Sequence, residues 1–130
     1  MYKRQITDSG NIVVAGDASF TAESALGIID LGSLKVDGAI TLNTLGSGNA
    51  TIVNDDDVAL TANSGIGGNA DITATTNNIT DNGTFTVTGN AAFTTSEADA
   101  TIILDSGLAV SGTITPVSYT HLTLPTKRIV

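Results

Sequence analysis

Apolar and polar residues alternate along most of this chain. The alternation is clearest at 33–37 (Ser-Leu-Lys-Val-Asp), 39–43 (Ala-Ile-Thr-Leu-Asn), 50–54, 58–62, 71–75, 84–88 and 91–95. A period of two, with Thr at many of the polar positions, predicts strands that bury one face and expose the other. Gly, Asn, Asp and Ser separate these segments. They tolerate positive φ or hydrogen-bond their own backbone, so they mark turns. No stretch sustains the three- and four-residue spacing of a helix, and β-branched residues are too frequent for one.

The strands recur. Residues 6–22 align without gaps to residues 79–95, with nine of seventeen positions identical, and residues 34–41 match 108–115 after a one-residue slip. The long repeat is thus about seventy-four residues. A shorter unit, apolar-x-Val-x-Gly, lies around Val14, Val36, Val87 and Val110 at spacings of twenty-two and twenty-three, and Val58 fits its phase less well. One long repeat then holds about three turns of a coil. Self-similarity at this period favours stacked coils over a β-sandwich. So does the apolar content, which is small and aliphatic, with Phe20, Phe85 and Phe93 as the only phenylalanines. Phe20 and Phe93 are equivalent in the repeat, and both are expected to point inward. The predicted fold is all-β: a right-handed parallel β-helix of about five rungs, forming a rod about 24 Å long at the usual strand spacing.

Composition divides the chain into a body and two ends. Val117–Thr126 resembles, codon for codon, the translation of a transposon mosaic end with its sequencing adapter. Lys127, Arg128 and Ile129 fall where a variable index lies, and Met1–Gln5 resembles the same mosaic end on the opposite strand. Residues 1–5 and 116–130 are accordingly read as adapter-derived, and residues 6–115 as an internal slice of a longer repeat protein. The ends are expected to pack poorly and to continue no rung register. The exposed strand edges of the terminal rungs are expected to invite association.

The whole chain carries a formal charge of −8, but all thirteen acidic residues and only one basic residue, Lys35, lie in the body, giving it −12. That balance speaks against a nucleic-acid partner, which needs a basic patch, and the acidic surface would limit side-by-side aggregation. Cysteine is absent, which excludes disulfides and thiolate metal sites. No apolar run approaches the length of a membrane span.

The phrases Ile6-Thr-Asp-Ser-Gly10, Lys35-Val-Asp-Gly-Ala-Ile-Thr-Leu42 and Thr86-Val-Thr-Gly-Asn-Ala-Ala-Phe-Thr94 resemble the degenerate repeats of filamentous-haemagglutinin-type bacterial adhesins. The resemblance covers nearly all of residues 6–115. It implies a non-catalytic shaft in a large secreted or cell-surface protein, without cofactor. Such a shaft stacks on flanking coils and faces an extracellular carbohydrate or protein ligand.

Candidate chemistry is sparse. Asp55, Asp56 and Asp57 form the densest charge cluster, and with Asn49 and Asn54 they make a candidate calcium turn. The plainer account is a solvated turn, because no Asp-x-Asp-x-Asp-Gly loop is present. Gly65–Asp71 is similar to a calcium nonapeptide but occurs once, where a calcium roll needs several in tandem, so a loop is the better account. Asp37, Asp55, Asp56, Asp57 and Asp99 are candidate carboxylates for glycoside hydrolysis. Nothing in the sequence marks a cleft or a stacking platform around them. Asn49, Asn78 and Asn82 head glycosylation-type tripeptides; the other reading of these Asn residues is a ladder between coils, each side-chain amide bonding the one above. A polysaccharide-active β-helix enzyme and a calcium-dependent surface-layer or matrix module are the two alternatives to the shaft.

Overall fold

The computed structural model describes residues 5–61 and 64–118. Fifteen strands and no helix are found among them. In chain order they are β1 (Gln5–Thr7), β2 (Ile12–Val14), β3 (Ala18–Ala22), β4 (Ile28–Val36), β5 (Ala39–Thr44), β6 (Ala50–Asn54), β7 (Val58–Thr61) and β8 (Ser64–Ile66). There follow β9 (Ala70–Ala74), β10 (Ile79–Asn82), β11 (Phe85–Val87), β12 (Ala91–Thr95), β13 (Ile102–Ile103), β14 (Leu108–Val110) and β15 (Ile114–Ser118). Every pairing is parallel, and each links residues about one coil apart, as in Ala50↔Ala70, Ala70↔Ala91 and Ala91↔Ile114. The protein is a parallel β-solenoid of about five turns, as the periodicity predicts.

Two sheets wrap one narrow core. The first follows the path β1-β4-β6-β9-β12-β15, with β2 also on β4. The second follows β13-β10-β7-β5-β8-β11-β14, with β3 on β5. Side chains at matching register stack in columns through the rungs. One column runs Leu31, Ile52, Ile72, Phe93, and another runs Val58, Ile79, Ile102. These residues are buried, and the interior accepts them because each strand contributes only two or three inward side chains. Phe85 and Phe93 meet edge to face, with ring centroids 6.3 Å apart.

The strands come in a repeating order of two short strands and one straight one, and this order slips once. In the first two rungs the bent side, made of β1 with β2 and then of β4, belongs to the first sheet, while straight β3 and β5 belong to the second. The turn at residues 45–49 then joins straight β5 directly to straight β6. From there on the straight strands stack in the first sheet and the bent pairs β7/β8, β10/β11 and β13/β14 in the second. β4 lies against straight β6 with a register shift between Leu31 and Leu34.

This slip corrects the expected three turns per long repeat. Ile6 pairs with Ile29, Ile29 with Ala50, and Ala50 with Ala70, so three full coils end at Ala70 in the first sheet. Ile79, the repeat mate of Ile6, lies further on, in the second sheet. The long repeat spans three and a half turns, and its equivalent residues face each other across the core. Phe20 and Phe93 both pack on the core as expected, but from opposite sheets, and Phe20 is only partly buried. The short-unit pattern also needs a change of member. Val14 pairs with Val36, and Val87 pairs with both Ile66 and Val110, so Ile66 rather than Val58 holds that position.

The ends behave differently from expectation where they are described. Gln5 registers with Ile28, and Pro116, Val117 and Ser118 register with Phe93, Thr94 and Thr95. A ladder is made by backbone groups and extends whatever the side chains are. Packing is nonetheless poor there, since Ile114 through Val117 are exposed. The remaining positions of both ends, residues 1–4 and 119–130, lie outside the described residues.

Candidate functional site

Most polar side chains with defined partners lie at the corners of the coil, and the sequence candidates fall among them. Asp55, Asp56 and Asp57 form the corner between β6 and β7, and each carboxylate bonds a different neighbour. Asp55 Oδ1 accepts from Thr75 Oγ1 at 2.7 Å. Asp56 accepts from Lys35 Nζ at 3.0 Å on Oδ2, and from the Asp57 N–H and Asn77 Nδ2 on Oδ1. Asp57 Oδ1 accepts from the Asn78 N–H at 2.9 Å. The bonds to Thr75, Asn77 and Asn78 reach forward one rung and that to Lys35 reaches back one. Among the described residues no group of three acidic or histidine side chains is arranged to hold a metal ion.

The corner stacking continues beyond the acidic triplet. The Asn77 N–H donates to Glu97 Oε2, and the Thr101 N–H donates to Asn78 Oδ1 at 2.8 Å. Lys35 also approaches Asp37 at 3.5 Å and the Asp55 carbonyl at 3.4 Å. The Asp57 N–H, Lys35 and Asn77 together hold the Asp56 carboxyl down at about 2, and the hydrogen bond to Asp56 in turn raises the Lys35 ammonium above its ordinary value. Asp99 is not brought to this cluster by any bond; it is exposed in the turn after β12, with φ 68°.

The Asn54 side chain is committed to backbone groups. It is fully buried. Its Oδ1 accepts the Val36 N–H at 2.8 Å, and its Nδ2 donates to the carbonyls of Val36 and Asp57 at 3.1 and 2.7 Å. Straight β6 ends at Asn54 while β4 continues past its bend to Val36. The Asn54 carboxamide therefore stands in for the missing backbone partner of Val36. The bend itself is closed from the previous rung: Asp8 accepts the N–H groups of Gly32 and Ser33 at 3.2 and 2.7 Å. Asp81, the repeat mate of Asp8, likewise accepts the Ser106 N–H at 3.0 Å; its other oxygen is buried without a partner.

A ladder that the strand pattern alone does not reveal runs down the opposite corner. Asn49 Oδ1 accepts the Asn69 N–H at 2.8 Å, Asn69 Oδ1 the Asn90 N–H at 2.9 Å, and Asn90 Oδ1 the Thr113 N–H at 3.0 Å. Each Asn follows a glycine for a steric reason. A Cβ on Gly68 would collide with Asn49 Oδ1 and with the Ser47 and Gly48 carbonyls. The signal was present as Gly-Asn-Ala at 48–50, 68–70 and 89–91. Asn49 and Asn78 thus bond backbone N–H groups of the next rung, rather than amide to amide. Asn82 is exposed at the end of β10. Gly65–Asp71, expected as a loop, runs from β8 through this glycine corner into β9.

A shallow groove of about 280 Å³ crosses the outer face beside Lys35, where the bent and straight sides meet. Val13, Ser33, Lys35, Val53, Asp55 and Thr75 are among the residues lining it. Asp55 and Lys35 are both already bonded to rung neighbours.

These features define a parallel β-solenoid built from repeats, with its polar chemistry directed between rungs. The chain belongs to the family described as repeats of unknown function (DUF5649), whose model matches residues 47–115, more than half of its length. The matched span begins within the turn of the half-turn slip and covers the rungs that follow it. No curated protein and no solved structure matches the chain.

Proposed function

We propose that this chain is a non-catalytic spacer, part of the shaft of a large bacterial secreted or cell-surface adhesin. The observation that supports it is the direction of the corner hydrogen bonds. Lys35, Asp55, Asp56, Asp57, Asn69, Asn78 and Asn90 reach one rung forward or back, so side chains that elsewhere bind ligands here extend and stiffen the rod. Nearest-neighbour stabilisation of this kind suits an element whose task is length. The extracellular ligand, a carbohydrate or a protein, would meet the rod's lateral face or a tip that the rod holds outward.

The test is a distance. Placed between an outer-membrane anchor and a labelled epitope, the chain should hold the label about 24 Å farther out than a direct fusion, as expected from five rungs at the usual spacing. Energy transfer to a membrane dye measures this. A distance distribution as broad as that of a flexible linker of equal length would sink the spacer reading. Release of reducing sugar from bacterial or plant polysaccharides by the isolated chain would overturn its non-catalytic character.

A further inference from the structure

We propose that Asn82 is a self-modifying site, at which the chain converts its own asparagine to aspartate and isoaspartate through attack by the Gly83 backbone nitrogen. The Gly83 nitrogen attacks Asn82 Cγ and closes a five-membered succinimide ring. The Cγ–Nδ2 bond breaks, and ammonia leaves, carrying away the proton of the Gly83 N–H. Water then opens the ring. Cleavage at Cγ gives aspartate; cleavage at the main-chain carbonyl gives isoaspartate, in which the backbone runs through Cβ and Cγ. Water is the only co-reactant. The rate depends on the N–H being free and on the nitrogen reaching Cγ.

The stacked rungs protect the asparagines at their corners. Asn49, Asn69 and Asn90 are followed by Ala50, Ala70 and Ala91, and each of these N–H groups donates to a carbonyl of the next rung at 2.9 Å. Ile79, after Asn78, donates to the Thr101 carbonyl at 2.9 Å, and Asp55, after Asn54, to the Leu34 carbonyl at 2.8 Å. The Asn78 N–H, after Asn77, is held by Asp57 Oδ1. Ala50, Ala70, Ile79 and Ala91 are also buried. Attack by any of these nitrogens requires a rung to open first.

Asn82 lacks this protection. It is exposed at the end of β10 and is followed by the bend Gly83–Thr84 rather than by a laddered residue. Among the described residues no backbone carbonyl accepts the Gly83 N–H. Gly83 has φ 130°, a conformation that residues with a Cβ rarely adopt. Without a Cβ it also leaves the Asn82 side chain room to swing onto its nitrogen. No other Asn-Gly pair occurs in the chain. Conversion changes the rod at this bend. It adds a carboxylate next to Asp81, whose carbonyl and the Asp105 carboxylate are already bridged by Ser106 Oγ at 3.3 and 3.5 Å. Isoaspartate also adds an atom to the main chain just before β11, where buried Phe85 meets Phe93.

The experiment holds the full chain at mildly alkaline pH and maps peptides from timed samples by mass spectrometry, with isoaspartate counted by enzymatic methylation of its free carboxyl. Asn82 should convert to aspartate and isoaspartate about tenfold or more faster than Asn49, Asn69, Asn78 or Asn90. In urea above the unfolding transition those four should speed up about tenfold or more, while Asn82 changes little. Asn82→Gln, whose longer side chain needs a six-membered ring, should fold and melt like the wild type and form far less isoaspartate. An Asn82 that stays intact in the folded chain overturns the proposal. So does an Asn82 that speeds up in urea as much as the other four, since the bend would then be protected as the ladders are. An Asn82→Gln variant that forms isoaspartate as fast as the wild type overturns it as well.

Discussion

Asn54 shows how much a single side chain can decide. It is buried, and it satisfies three backbone groups where β4 bends away from β6. Leaving buried polar groups unpaired costs about 1–3 kcal/mol each. Asn54→Ala should therefore lose about 3 kcal/mol or more in urea unfolding, whereas Asn69→Ala, which removes one bond at an exposed corner, should lose about 1 kcal/mol. Asp56 predicts a pH effect of known sign. Its carboxyl lies at about 2 in the fold against an ordinary 3.8. The stability it contributes is present above the ordinary value and is lost as pH falls through 3.8 towards 2. The pair is exposed enough for solvent to screen it, so the effect is small. Comparison of urea midpoints near neutral pH and at about pH 2 should show a smaller acid loss for Asp56→Asn than for the wild type; an equal loss would show that Asp56 is not responsible. These residues also show where the sequence misleads. Asp and Asn at a turn are the residue types of a calcium site and equally of a rung-to-rung ladder. Only the direction of each side chain separates the two, and that direction depends on the coil stacked beside it.

Strands and corners answer to different constraints. β5, β6, β7, β9 and β12 were legible because four to six alternating residues suffice to show a period of two. β1, β2, β8, β11, β13 and β14 are two or three residues long, too short for alternation to stand out from turn sequence; of these only β11 lay within a predicted segment. Inward columns carry the packing energy. Phe93→Ala should cost about 3–5 kcal/mol as for other core phenylalanines. Phe20→Ala should cost roughly half as much, because Phe20 is covered from one side only. Equal losses in thermal melts would contradict the difference in burial between the two repeat mates. At the corners, space decides. Gly68→Ala must displace backbone of the preceding rung, which places it near the upper end of overpacking costs, about 3 kcal/mol. Gly10→Ala meets nothing within 4 Å and should stay within about 0.5 kcal/mol of the wild type.

Across the whole molecule the half-turn slip was the feature the sequence hid. Bent and straight sides both read as apolar-x-apolar flanked by glycine, so the pattern repeats whether a unit advances by a half turn or a full one. The structure makes the distinction testable by deletion. Removing residues 70–90 takes out one whole coil. The new seam reads Gly68-Asn69-Ala91, which keeps the glycine corner, and the register Ala50↔Ala70↔Ala91 sets Ala91 on Ala50 and Phe93 on Ile52. Ile102 then falls on Val58 and Leu108 on Ser64, each against its own kind of strand. This variant should fold cooperatively and lose about 1–3 kcal/mol, the share of some twenty residues. Removing residues 79–90 deletes only β10 and β11. Straight β12 then follows straight β9 directly, and the rungs beyond it must swap sheets as they do after Thr44. The natural slip survives because Asn54 supplies the backbone partners that a straight strand cannot offer to a bent one. Ala74, which occupies the Asn54 position in β9, has no carboxamide, and Thr95, next in the same column, has none either. The half-coil deletion should therefore lose its cooperative urea transition even though it removes fewer residues. A cooperative transition in that shorter variant would show that the rungs tolerate either phase without Asn54.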